Sequence, residues 1–124
     1  MPLQVPGFLL RRLYVRGSLR RTDAGFQLEL KNTLGSGYAR RLLPLKVNGA
    51  EIPLENCFFE VDGVRHAFAD VTPDSPFSLA LNRTSVLGGT GTSLPEGIVE
   101  VTIGFDVQGL GDLSFSVKDT PASD

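Results

Sequence analysis

From Val99 to Val107 the chain alternates strictly: Val99, Val101, Ile103, Phe105 and Val107 are apolar, and Glu100, Thr102, Gly104 and Asp106 between them are polar or glycine. A period of two held over nine residues fits a strand with one buried face. Apolar positions of a helix would recur every three or four residues instead. The same alternation returns with Phe26, Leu28 and Leu30, with Cys57, Phe59 and Val61, with Phe77, Leu79 and Leu81, and with Leu113, Phe115 and Val117. It also marks Leu43, Leu45 and Val47, and Val64, His66 and Phe68. These runs demand a layered all-β fold in which one face of each strand is hidden.

The punctuation between the runs agrees. Asn48-Gly49 and Asp62-Gly63 are two-residue hairpin turns, because both positions of such a turn need the positive φ that Asn, Asp and Gly tolerate. Thr22-Asp23-Ala24-Gly25 and Gln108-Gly109-Leu110-Gly111-Asp112 are further turns, Thr72 to Pro76 is a rigid loop, and Gly88 to Ser93 reads as a flexible one. Residues 8–15 read either as a strand with Arg12, Tyr14 and Arg16 outward or as a short helix, since Leu9, Leu10 and Leu13 share helical spacing. Eight or nine short strands at roughly ten-residue intervals predict an antiparallel β-sandwich. The expected domain is 1–119, with 120–124 as a disordered tail. Phe26, Leu28, Val101, Ile103, Phe105, Phe115 and Val117 share the inward phase and are the expected core.

With 124 residues, one core suffices for stability without disulfides or metals. The single cysteine, Cys57, has no internal partner, and Phe8-Leu9-Leu10 runs straight into Arg11-Arg12, unlike a signal peptide. No apolar run reaches membrane-span length. The expectation is a cytoplasmic protein without membrane attachment. Residues 1–46 hold nine basic and two acidic side chains, a balance of +7, while residues 47–124 hold three and twelve, a balance of −9. Such a split is satisfied either by pairing across a sheet or by docking of a partner. A pI of 5.3 and arginines without interleaved aromatics argue against nucleic acid.

Candidate chemistry is sparse. The one imidazole, His66, and the one thiol, Cys57, sit on strands joined by Asp62-Gly63. Both share a phase with apolar residues, which favours structural roles. Asp70 and Asp74 near His66 match no metal-ligand spacing, so neither metal nor cofactor is expected. The glycines from Gly88 lack the Lys-Ser/Thr ending of a phosphate loop and precede Pro95, not a helix. Asn82-Arg83-Thr84 fits a glycosylation pattern that, without a secretion signal, is chance. What remains is an interface set of Arg12, Tyr14, Arg16, Tyr38, Arg40 and Arg41, residue types that anchor protein contacts.

Five segments carry a family resemblance: Arg16-Gly17-Ser18-Leu19-Arg20; the run from Gly25 to Asn32; Leu45 to Pro53 around Asn48-Gly49; Phe59 to Gly63; and Leu94 to Val101. Over nearly its whole length the chain resembles small β proteins related to the β subunit of bacterial C-glycoside deglycosidases. That resemblance implies a β-sandwich that supports a larger, metal-dependent catalytic subunit and carries no catalytic residue itself. Short chains similar to this one are also labelled hydroxymethylglutaryl-CoA reductase. A chain of 124 residues is too short for that enzyme's two domains and has no dinucleotide fingerprint, so reductase activity is not expected. The leading expectation is thus a non-catalytic accessory subunit or interaction domain whose partner is a larger catalytic subunit or a second copy. The alternatives are a carbohydrate-binding sandwich using Tyr14, Tyr38 and one of Phe58/Phe59, and a small enzyme using His66 with a carboxylate.

Overall fold

The computed structural model describes residues 6–122. The chain opens with a one-turn helix, α1 (Gly7–Leu10), that tightens into a 3₁₀ turn over Arg11–Leu13. Eleven strands follow: β1 (Arg20–Arg21), β2 (Gly25–Lys31), β3 (Gly37–Leu42), β4 (Lys46–Val47), β5 (Ala50–Glu51), β6 (Cys57–Val61), β7 (Val64–Ala67), β8 (Phe77–Leu79), β9 (Thr84–Thr90), β10 (Val99–Val107) and β11 (Gly111–Asp119). They form two sheets. One runs β1-β2-β9-β6-β7; in the other, β10 pairs along its full length with β11 and, on its second edge, with β4 and β3, which carry β5 and β8 outward. Every pairing between these strands is antiparallel. The architecture is the all-β sandwich that the alternation demands.

The long strand β10 explains the core. Val99, Val101, Ile103, Phe105 and Val107 face inward and are buried, and Phe115 and Val117 lie beside them on β11. Phe26 and Leu28 meet them from the opposite sheet, each fully excluded from solvent. All seven expected core residues are buried. Both two-residue turns form as their sequences require: Asn48 and Gly49 take φ of 50° and 86°, Asp62 and Gly63 take 54° and 80°.

Three expectations are corrected, and one open choice is resolved. The apolar positions Leu43, Leu45 and Val47 do not make one strand; β3 ends at Leu42, Leu43 keeps a single N–H bond to the Gly104 carbonyl on β10, and β4 keeps only Lys46–Val47. Pro44 explains the break, since it lacks the N–H that a ladder needs. The glycines Gly88 and Gly89 are not in a mobile loop but at the centre of β9, paired on both sides with β2 and β6. Of residues 8–15, the stretch up to Leu13 takes the helical alternative and Tyr14 leaves it in an extended conformation. A strand reading would have put Leu10 and Leu13 on opposite faces; the helical turns bury both. Finally, the tail is docked as far as it is described: Arg21 N–H donates to the Ala122 carbonyl at 2.9 Å, Ala122 N–H donates to the Leu19 carbonyl at 2.9 Å, and Pro121 is buried. Residues 123–124 of the expected tail lie outside the described residues.

Candidate functional site

The six residues nominated as an interface fall into two separate groups. Arg12 ends in the 3₁₀ turn beside β11, and Arg16 follows it in a turn; both are exposed. Tyr14 does not share a strand face with them. It makes a single bridge to Leu30 and is half-buried, its hydroxyl donating to Asp119 Oδ2 at 2.7 Å. Tyr38, Arg40 and Arg41 lie on β3, on the opposite side of β10 from β11. There Arg40 Nη2 reaches both oxygens of Asp106 at 3.2 Å, and Arg41 Nη2 reaches Oδ2 at 3.4 Å. Asp106 projects from the outer face of β10, yet the two guanidiniums leave it only 3% exposed.

This geometry meets part of the charge split. Two carboxylates from the last fifth of the chain dock on its first third: Asp106 pairs with Arg40 and Arg41, and Asp119 accepts from the Tyr14 hydroxyl and from the Gly17 N–H at 2.8 Å. Arg11 Nε donates to the Ser116 carbonyl, and Arg21 donates to the carbonyls of Leu94 and Pro95. The hydrogen bond from Arg40 holds the Asp106 carboxyl below the ordinary 3.8, and the hydrogen bond from Tyr14 does the same for Asp119. Each depressed carboxylate contributes stability that is complete above 3.8 and is lost as pH falls through its lower folded value.

Tyr14 has the opposite sign. Burial first, and the negative Asp119 second, push its phenol from 10.0 up to about 12. The contribution of the protonated phenol is therefore complete below 10 and is lost as pH rises from 10 toward 12. An alkaline titration followed by phenolate absorbance is expected to show a component near 12 that vanishes in Tyr14→Phe. A titration indistinguishable between the two proteins would refute the Tyr14–Asp119 contact.

The groups with catalytic potential are occupied structurally. Cys57 is 1% exposed, with Sγ lying 3.6 Å from the Pro53 carbonyl, and burial pushes its thiol up. The native protein is expected to resist maleimide labelling until it unfolds; prompt labelling under native conditions would contradict this burial. His66 sits opposite Phe59 on the exposed edge strand β7, its ring stacked on the phenyl ring at 5.0 Å between centroids. Phe58 and Phe59 do not form an exposed sugar platform: both are buried, Phe58 on the outer face beneath the Arg65 guanidinium, which lies 3.8 Å from its ring centroid. Among the described residues no three His, Cys, Asp or Glu side chains gather as metal ligands, and no helix is long and apolar enough to cross a membrane.

The substantial concave site lies elsewhere. A cavity of about 360 Å³ opens between the two sheets at the end of the sandwich where β9 and β11 begin and β2 and β10 finish. Leu9, Leu10 and Leu13 close one side, Ile103, Phe105 and Val107 form the wall on β10, and the exposed Leu34 stands at the rim. Asn32 shapes the mouth: its Nδ2 donates to the carbonyls of Gly35 and Leu79, and its Oδ1 accepts from the N–H groups of Leu34 and Gly35. The loop is thereby pinned to Leu79 by a side chain whose hydrogen bonds all go to backbone. Among the described residues Arg83 is the one charged residue in the lining. Among the described residues the lining presents apolar surface and one guanidinium, and no nucleophile beside a base. None of the candidate residues nominated from the sequence lines it.

Residues 9–121 match the family model described as hydroxymethylglutaryl-CoA reductase, N-terminal domain. No curated protein matches the chain.

Proposed function

The chain belongs to the hydroxymethylglutaryl-CoA reductase N-terminal domain family, and from that premise we propose that it is a non-catalytic binding and accessory domain that works with a larger catalytic partner. The observation that carries this reading is the cavity between the sheets: a concave site of ligand-binding size, lined by apolar side chains and one guanidinium, with no group placed for proton transfer or nucleophilic attack. His66, the only imidazole, serves an aromatic stack instead. The resemblance to the β subunit of C-glycoside deglycosidases supports the same role and names a class of partner, a metal-dependent, sugar-active enzyme. Exposed Arg12 and Arg16 are the part of the basic first third best placed to meet an acidic partner surface.

The test uses the purified chain and a barrel-shaped, metal-dependent C-glycoside-cleaving enzyme as candidate partner, studied by sedimentation and by C-glycoside turnover. A complex is expected to form, to weaken about tenfold in Arg12→Glu/Arg16→Glu at low salt, and to lose that difference at high salt as screening removes the electrostatic part. Turnover by the chain alone, abolished in a folded His66→Ala variant, would overturn the non-catalytic reading.

A further inference from the structure

The strand β9 lines the cavity with a graded stripe. Arg83 just before it, then Ser85 and Leu87 on it, are in period-two phase, so all three face the same side, and all three line the cavity. Leu87 is buried among the core residues, Ser85 is almost buried, and Arg83 is half-exposed at the mouth. Among the described residues no carboxylate lines the cavity. Arg83 uses its backbone carbonyl to accept from Asn32 N–H and its own N–H to reach the Ala80 carbonyl, but its guanidinium makes no hydrogen bond or ion pair among the described residues. Ser85 likewise makes no side-chain hydrogen bond among them. The site thus combines an apolar interior, an uncommitted hydroxyl part of the way in, and an uncommitted cation at the entrance.

We propose that this cavity binds a single-chain amphiphile bearing a carboxylate, a medium-chain fatty acid, with its hydrocarbon tail between the sheets and its head on Arg83. The inference rests on the reading of the cavity as a binding site and adds the ligand's chemical class. The interior selects a hydrocarbon because aliphatic and aromatic walls gain by burying apolar surface and offer almost nothing to a polar chain. The volume is near the small end of ligand sites, which suits one extended chain of medium length. The planar guanidinium fork matches a carboxylate in two parallel hydrogen bonds, a match that a neutral alcohol lacks and an ammonium opposes.

The test is isothermal titration calorimetry of the whole chain with sodium decanoate, decanol and decylammonium, with the fold of each variant checked by circular dichroism. Decanoate is expected to bind at least tenfold more tightly than decanol, and decylammonium more weakly than either. Arg83→Gln is expected to remove the preference for decanoate and leave decanol binding unchanged, and Arg83→Lys to restore part of it. Narrowing the cavity with Ala80→Leu is expected to weaken both decanoate and decanol. Equal binding of decanoate and decanol by the natural sequence, or a preference for decanoate that survives in Arg83→Gln, would overturn the head-group assignment while leaving an apolar binding site. Failure of all three probes to bind would overturn the binding-site reading as well. Association with the catalytic partner is measured apart from these titrations.

Discussion

Gly25→Ala and Gly88→Ala are each expected to lower the melting temperature by on the order of 10 °C, a large effect for the addition of one methyl group. The reason lies in the sheet of β2, β9 and β6. A Cβ at Gly25 would stand 2.0 Å from the carbonyl oxygen of Gly89 and 3.0 Å from the Thr90 Cα, both backbone atoms of the neighbouring strand. A Cβ at Gly88 would stand 2.5 Å from the Phe26 carbonyl oxygen and 2.5 Å from the tip of the Phe58 ring. A flexible side chain swings away from such a clash; a strand backbone does not, so β2 and β9 must part and their ladder must distort. Overpacking costs about 1–3 kcal/mol where side chains can adjust, and these sites stand at or above the upper end, against a total stability of roughly 5–15 kcal/mol for a domain. Gly35→Ala is the control, since a Cβ there meets nothing within 4 Å. Thermal denaturation of the three variants decides the matter. Equal melting temperatures for all three would mean that β2 and β9 do not approach as closely as described.

The same glycines mark where the sequence stops being legible. Alternation and turn chemistry are local signals, and they located β10, β11, β2 and the two hairpins, because burial on one face and positive φ leave their trace within a few residues. Gly88-Gly89 leaves the opposite trace: two glycines before Thr90 and Gly91 resemble a mobile loop. What makes them strand is the Phe58 ring, thirty positions earlier, which covers the space over Gly88 that a side chain would fill. The charge split was visible in the sequence, but its resolution was not, because Arg40 and Arg41 find Asp106 only through the pairing of β3 with β10. The cavity is the clearest case. Its walls come from α1, β2, β3, β8, β9, β10 and the start of β11, so no window of the sequence contains it. One local sign was present: Arg83, Ser85 and Leu87 in strand phase, polar toward apolar, just ahead of the glycine run.

Phe59→Ala is expected to cost about 3–5 kcal/mol, the usual range for emptying a buried phenylalanine site, a large share of a domain's roughly 5–15 kcal/mol. Phe59 is the hub of an aromatic cluster. Its ring lies 4.6 Å from that of Phe77, 6.4 Å from that of Phe68 and 5.0 Å from that of His66, and the last pair is nearly parallel, with 21° between planes. Phe68 and Phe77 come from the segments that follow β7, so this cluster ties the edge of the first sheet to the loop that leads into the second. His66 caps the cluster from the solvent side. Removing the cap costs far less than removing the hub: His66→Ala is expected to lose about 0.5–1.5 kcal/mol, the range for one aromatic pair. A double-mutant cycle separates the two roles. If the imidazole acts by stacking on Phe59, the pair couples by about 1 kcal/mol, and His66→Ala is nearly silent once Phe59 is gone. Denaturant unfolding of the four proteins supplies the cycle. Additive losses would mean that His66 serves something other than the aromatic stack, and the case for a structural histidine in a non-catalytic domain would lose its footing.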